Sequence, residues 1–181
     1  MIADTNVSEI PSHEGEVKAF EWDSLNFDSV KINGNIPLKL SVKSLIEILG
    51  QPDSTITEHG WDCGNYLDDL YSVTVYYYGK SRFISSGGEA LLHEIYFSDN
   101  RLSFGTRDFK ISSEISEAEL KLLFPKSYTT MLEQIRTDKQ YGERSLSVDM
   151  VNQPLNQEGS AFIFYFENGK LSRIELWWFI C

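Results

Sequence analysis

The feature that most limits what this chain can become is its last one, residues 160–179, which read SAFIFYFENGKLSRIELWWF. Two runs of β-branched and aromatic residues stand on either side of Glu167-Asn168-Gly169-Lys170. Asn-Gly between apolar runs is the strongest short-range hairpin signal, because a type I′ turn needs positive φ at both central residues. Earlier, Tyr96-Phe97-Ser98-Asp99-Asn100-Arg101-Leu102-Ser103 echoes Tyr165-Phe166-Glu167-Asn168-Gly169-Lys170-Leu171-Ser172. The echo predicts a second hairpin, a duplicated unit and a sheet.

Two helical segments fit the same duplication. In residues 41–49, SVKSLIEIL, Ser41 reads as an N-cap and Val42, Leu45, Ile46 and Leu49 recur at helical spacing. Gly50 supplies a C-cap, and Pro52 prevents continuation. In residues 116–125, SEAELKLLFP, Ser116 and Glu119 have capping-box spacing and Pro125 is again a stop. The steps from Ser41 to Ser116 and from Tyr96 to Tyr165 are similar in length. The expectation is an α+β protein of two related units, each a helical segment packed on an antiparallel β-sheet, with the helices on one face. Residues 1–18 read as a loose arm, 19–108 as the first unit and 109–181 as the second, together one compact domain.

Between these landmarks, residues 30–32 and 36–40 around Asn33-Gly34 read as a short hairpin, and 70–78 (LYSVTVYYY) as a strand. Residues 81–88 read as a mobile connection, and 89–97 as the opening of the first hairpin. Residues 127–136 are ambiguous between helix and strand, whereas 145–150 alternate like a short strand.

Alternation along a strand sorts its side chains into two faces. In the last strand Ile174, Leu176 and Trp178 point one way and Arg173, Glu175 and Trp177 the other. The charged pair marks the second face as the outer one. Carried through the echo, Ile95, Phe97, Phe164 and Phe166 are core, and Glu94, Tyr96, Ile163 and Tyr165 lie outside. On 70–78, Val73, Val75 and Tyr77 read as core, with Thr74, Tyr76 and Tyr78 outward. The candidate partner-binding surface is therefore Tyr76, Tyr78, Glu94, Tyr96, Tyr165, Arg173, Glu175 and Trp177. Aromatic-rich surfaces are where protein interfaces find their anchors. The plainer alternative is that these rings cover a sheet or pack beneath loops, since Tyr and Trp are ordinary strand residues.

Charge narrows the partner. With 27 acidic against 16 basic residues the chain carries −11, which repels phosphate backbones and argues against nucleic acid. A basic protein partner or a metal stays open. No apolar run approaches the roughly 18 residues of a membrane span. The start, MIADTNVSEIPSHEGE, has neither a basic n-region nor an apolar h-region, and Cys63 and Cys181 make no disulfide framework. The expected setting is cytoplasmic, with a leader already removed as the alternative.

The residue types that carry chemistry are sparse. His59, Asp62 and Cys63, with Asp68 and Asp69, are metal-competent but lack a second Cys or His at zinc spacing. Cys63 as a nucleophile would need His59 or His93 as its base, and His93 reads as a core or edge histidine. Ser85-Ser86-Gly87-Gly88 lacks the Lys-Ser/Thr of a phosphate loop. No catalytic, metal or cofactor residue is expected. The enzyme alternative is a small metal- or cysteine-dependent activity in the 58–69 loop.

The helix stop Leu49-Gly50-Gln51-Pro52-Asp53, followed by a meander and repeated once, resembles the fold of β-lactamase inhibitory proteins. It is similar to the outer-membrane assembly lipoproteins, whose helices often end in Leu-Gly-x-Pro, and to uncharacterised bacterial immunity-type proteins. The resemblance covers about residues 30–179, with residue-level matches at 49–53 and in the two hairpin stretches. It implies a helical segment on antiparallel strands in each repeat, and an open sheet face that grips a protein. The chain departs from the pattern in having no lipobox and no disulfide pairs. The functional expectation is a non-catalytic protein-binding module, inhibitor- or immunity-like, with a structural or assembly module as alternative.

Overall fold

The computed structural model describes residues 21–58, 73–98, 100–137, 144–152 and 159–177. Short strands open the chain: β1 (Ser24–Asn26), β2 (Lys31–Ile32), β3 (Ile36–Pro37) and β4 (Lys39–Ser41) lead into helix α1 (Val42–Leu49). A meander follows, β5 (Ser54–Glu58), β6 (Val73–Tyr78), β7 (Ser81–Ser86) and β8 (Glu89–Tyr96). After β9 (Phe104–Gly105) and β10 (Lys110–Ile111) come helices α2 (Glu117–Leu123) and α3 (Pro125–Thr137). A second meander closes the described chain: β11 (Arg144–Val151), β12 (Ala161–Glu167) and β13 (Lys170–Trp177).

The helix ends follow their capping chemistry. The Ser41 hydroxyl accepts the Ser44 amide at 3.1 Å, and Leu45 points fully into the core. Gly50 turns out of α1 at φ 83°, a conformation that only glycine adopts cheaply, and its amide still donates to the Ile46 carbonyl. Asp53 then accepts from the Gly79 amide at 2.6 Å and from Arg101 at 2.5 Å, which hold its carboxyl below its ordinary range. At α2 the capping box closes in both directions: Glu119 N donates to Ser116 Oγ at 3.2 Å, and Ser116 N to Glu119 Oε2 at 2.8 Å. Pro125 ends α2 and also opens α3, because its missing N–H costs nothing at a first helical position. Residues 127–136 are thereby helical.

Among the described residues the large sheet runs β1-β11-β12-β13-β8-β7-β6-β5, with β4 also beside β8. The two meanders join through their last strands, antiparallel, with Arg173 opposite Tyr96, Ile174 opposite Ile95 and Glu175 opposite Glu94. A smaller sheet, β10-β9-β2-β3, lies over the large one. Phe104 of β9 meets Phe162 and Phe164 of β12 edge-on at 5.3 and 6.0 Å, and Phe124 beside α2 packs on Phe164 at 5.4 Å. All four rings are essentially buried. Each contributes roughly 2–3 kcal/mol by leaving water.

The hairpins at Asn33-Gly34 and Asn168-Gly169 form, with φ of 51° and 83° in the first and 52° and 74° in the second. The echoed stretch 96–103 makes no such hairpin. Beyond Asn100 the chain enters the smaller sheet, where β9 pairs with β2 and β10. Residues 81–88, expected to be a mobile connection, are β7 and its turn, paired on both sides. The sheet is not wholly antiparallel either, since β1 runs parallel to β11.

The largest correction concerns β6. Between β7 and β8, Arg82 stands opposite Glu94 and Phe83 opposite Leu92, so His93 is one residue too many. A one-residue bulge exchanges the faces of everything beyond it. Tyr77, expected in the core, pairs with Arg82 and shares its outer side. Tyr76 and Tyr78, expected outward, lie on the side of Phe83, towards the helices. Tyr78 is 1% exposed, its ring edge-on to Phe83 and its hydroxyl donating to the Gly50 carbonyl at 3.0 Å.

Candidate protein-binding face

The face of the large sheet turned away from Phe162 and Phe164 is organised around one carboxylate. Glu94 of β8 is 3% exposed, and both its oxygens are used. Arg82 of β7 donates to Oε2 through Nε at 2.8 Å, with its Nη2 2.5 Å from the same oxygen; Arg173 of β13 forms an ion pair with Oε1, its Nε 2.9 Å away. Register sets Arg82 directly opposite Glu94, and Arg173 diagonal to it, opposite Tyr96 on the same strand. A buried carboxylate is tolerated only when paired in this way. Glu94 was expected on the contact surface, and instead lies beneath it, roofed by the two arginines.

Around this clamp the aromatic residues are held rather than loose. The Arg173 guanidinium sits 3.7 Å from the centre of the Tyr165 ring, a stacked cation–π contact. Burial pushes the Tyr165 phenol up to about 12, helped by its hydrogen bond with Glu175. Glu175 is likewise raised above the usual carboxylate range, chiefly by burial and in part by Glu94 opposite it. Burial, then Glu94, also raises Tyr96. His93, at the bulge, is held down to about 4 by burial and by Arg82, so its imidazole is neutral at pH 7.

Of the residues singled out in the sequence, the fold brings Tyr96, Tyr165, Arg173, Glu175 and Trp177 onto this face above Glu94. Trp177 is its exposed member at 44%, and the two tyrosines are half-buried. Tyr76 and Tyr78 belong to the opposite side. Tyr77 and Arg82 take their places, and neither was read from the sequence. Arg82 had a signal in its neighbours, since Phe83 and Ile84 beside it are strand-favouring residues. Tyr77 had none, because its side is set by the bulge.

At one end of the β8–β13 seam the two echoed stretches meet. Phe97 N donates to the Ser172 carbonyl at 3.0 Å, and between them lies a cleft of about 1060 Å³. Ser98, Asn100, Glu167, Asn168 and Lys170 line it, together with Tyr96, so cleft and face share a residue.

His59, Asp62, Cys63, Asp68 and Asp69 lie outside the described residues, as does Trp178. Among the described residues no group of three His, Cys, Asp or Glu side chains is disposed to hold a metal. No helix among them is long and apolar enough to cross a membrane. No protein-family model matches the chain, and no curated protein or solved structure matches it either.

Proposed function

We propose that this chain is a non-catalytic protein-binding module, inhibitor- or immunity-like, that holds its partner on the outer face of the large sheet. The observation that carries this reading is an exposed Trp177 on the same sheet face as Tyr96 and Tyr165, farther along β13 from the Arg82–Glu94–Arg173 clamp on which Tyr165 is stacked. A ring already held, as Tyr165 is under Arg173, loses little freedom on binding, and aromatic residues make efficient anchors. The order of helix then meander, occurring twice and joined at β8 and β13, supports a duplicated unit like that of the inhibitory proteins the helix stop resembles. The net charge of −11 favours a basic partner through long-range steering.

The test is quantitative capture with immobilised wild-type chain and the double variant Trp177→Ser, Tyr96→Ser. A true anchor contributes about 2 kcal/mol, so the variant should bind its partner at least ~30-fold more weakly at an unchanged fold. Equal binding by both proteins would remove the face from consideration.

A further inference from the structure

The two ends of the large sheet are finished differently. At one end β1 is three residues long with Leu25 buried, and α3 ties its approach down. Asp23 N donates to Ser127 Oγ at 2.9 Å, Ser127 N to Asp23 Oδ2 at 3.0 Å, and Thr130 Oγ1 to the Glu21 carbonyl at 2.7 Å. At the other end stands β5, Ser54-Thr55-Ile56-Thr57-Glu58, which among the described residues pairs with β6 alone. Ser54, Thr55, Ile56 and Thr57 are all exposed. The strand contains no proline, lysine or bulge, the devices by which proteins protect an edge.

Register adds a second observation. Leu91, Ile84, Val75 and Ile56 stand opposite one another across β8, β7, β6 and β5, forming one apolar row on one side of the sheet. The first three are 1%, 0% and 0% exposed, and Ile56 is 48% exposed. The row is buried up to the edge and breaks off open there.

We infer that β5 pairs antiparallel with β5 of a second copy of this chain, about a two-fold axis at Ile56. The segment is self-complementary in that register: Ile56 meets Ile56, Thr55 meets Thr57, and Ser54 meets Glu58. The apolar row then continues from one copy into the next, threonines face threonines, and no like charges stand opposite. The contact is isologous and uses up the edge, so assembly stops at two. The two Glu58 side chains fall at opposite ends, roughly 14 Å apart by strand rise and beyond the screening length at physiological salt. A five-residue strand buries less than the ~1,600 Å² of a standard stable interface, so the dimer is weak and concentration-dependent. Because each copy carries −11, salt should tighten it, whereas a basic peptide on the same edge would be loosened by salt.

Sedimentation of the full chain over a wide concentration range, at low and high salt, reads the equilibrium. The expected result is a monomer–dimer exchange, strengthened by salt and abolished by Ile56→Lys with no loss of melting temperature. Register is read by oxidation in a C63S/C181S background. Ile56→Cys should form a linked dimer at least about tenfold faster than Ser54→Cys, because directly opposed residues lie within disulfide reach. A monomer at every concentration, a dimer that survives Ile56→Lys, a dimer loosened by salt, or equal cross-linking by the two cysteines would each overturn the inference.

Discussion

Asn100 and Asn168 each turn the chain at positive φ, 56° and 52°, yet only after Asn168 does the strand fold back onto the one before it. Behind Asn168 stands Gly169 at φ 74°, then a strand that alternates between the core and the outer face on either side of one extra residue. Behind Asn100 stands Arg101, and then Leu102, Ser103, Phe104 and Gly105 are buried one after another. A turn residue bends the backbone, but the pattern that follows decides its destination. Alternation suits the surface of a sheet, and contiguous burial suits passage between two layers. Each region also carries a bulge. Ser172 is the extra residue of β13 opposite the step from Tyr165 to Phe166, and its hydroxyl donates to the Tyr165 carbonyl at 3.0 Å. In β8 the extra residue is the titratable His93.

The seam that joins the two regions should break most completely at Glu94. Glu94→Leu leaves two arginines without their shared carboxylate and is expected to cost about 3–5 kcal/mol in urea denaturation. A loss below about 1 kcal/mol would mean that the clamp does not hold the seam.

The bulges should separate by pH. His93 is lowered from 6.5 to about 4, so the unfolded chain binds its proton first and stability falls as pH drops from 6.5 towards 4. That window is worth on the order of 3 kcal/mol at most, and His93→Gln should flatten it in melting curves recorded against pH. Substitution of Ser172 by Ala should leave the same slope unchanged.

The glycines separate the two turns on smaller scales. A Cβ on Gly105 would lie 2.2 Å from the Phe109 carbonyl oxygen, so Gly105→Ala must move backbone and should cost about 2–3 kcal/mol. At Gly169 a Cβ meets nothing within 4 Å, and only positive φ opposes it. Gly169→Ala should therefore cost about 1 kcal/mol, and Gly169→Asn less, since Asn tolerates that conformation. Equal costs for alanine at both sites would erase the distinction.

Local chemistry made some elements legible from residues alone. Ser41, Ser116 with Glu119, and Gly50 mark helix ends because capping is a contact between near neighbours. The last hairpin was legible because Asn-Gly stands between two strand-favouring runs, and alternation beyond Ser172 sorted Ile174 and Leu176 from Arg173 and Glu175. What stayed hidden depends on partners distant in the chain. The parallel pairing of Ser24–Asn26 with β11 has no local signature, and nothing near Phe104 foretells the Phe162 ring beside it. The bulge at His93 is the costliest omission. It exchanges Tyr77 for Tyr78 on the candidate face, and nothing near residue 77 announces it. Arg82 was passed over because Gly87-Gly88 made its whole segment look like a loop.

The most direct measurement is hydroxyl-radical footprinting of the chain alone and with its captured partner. If the outer sheet face is the binding surface, Trp177 and Tyr96 should lose several-fold in labelling rate, while Leu122 and Ile135 on the helices keep theirs. Protection of Leu122 and Ile135 with Trp177 unchanged would contradict it.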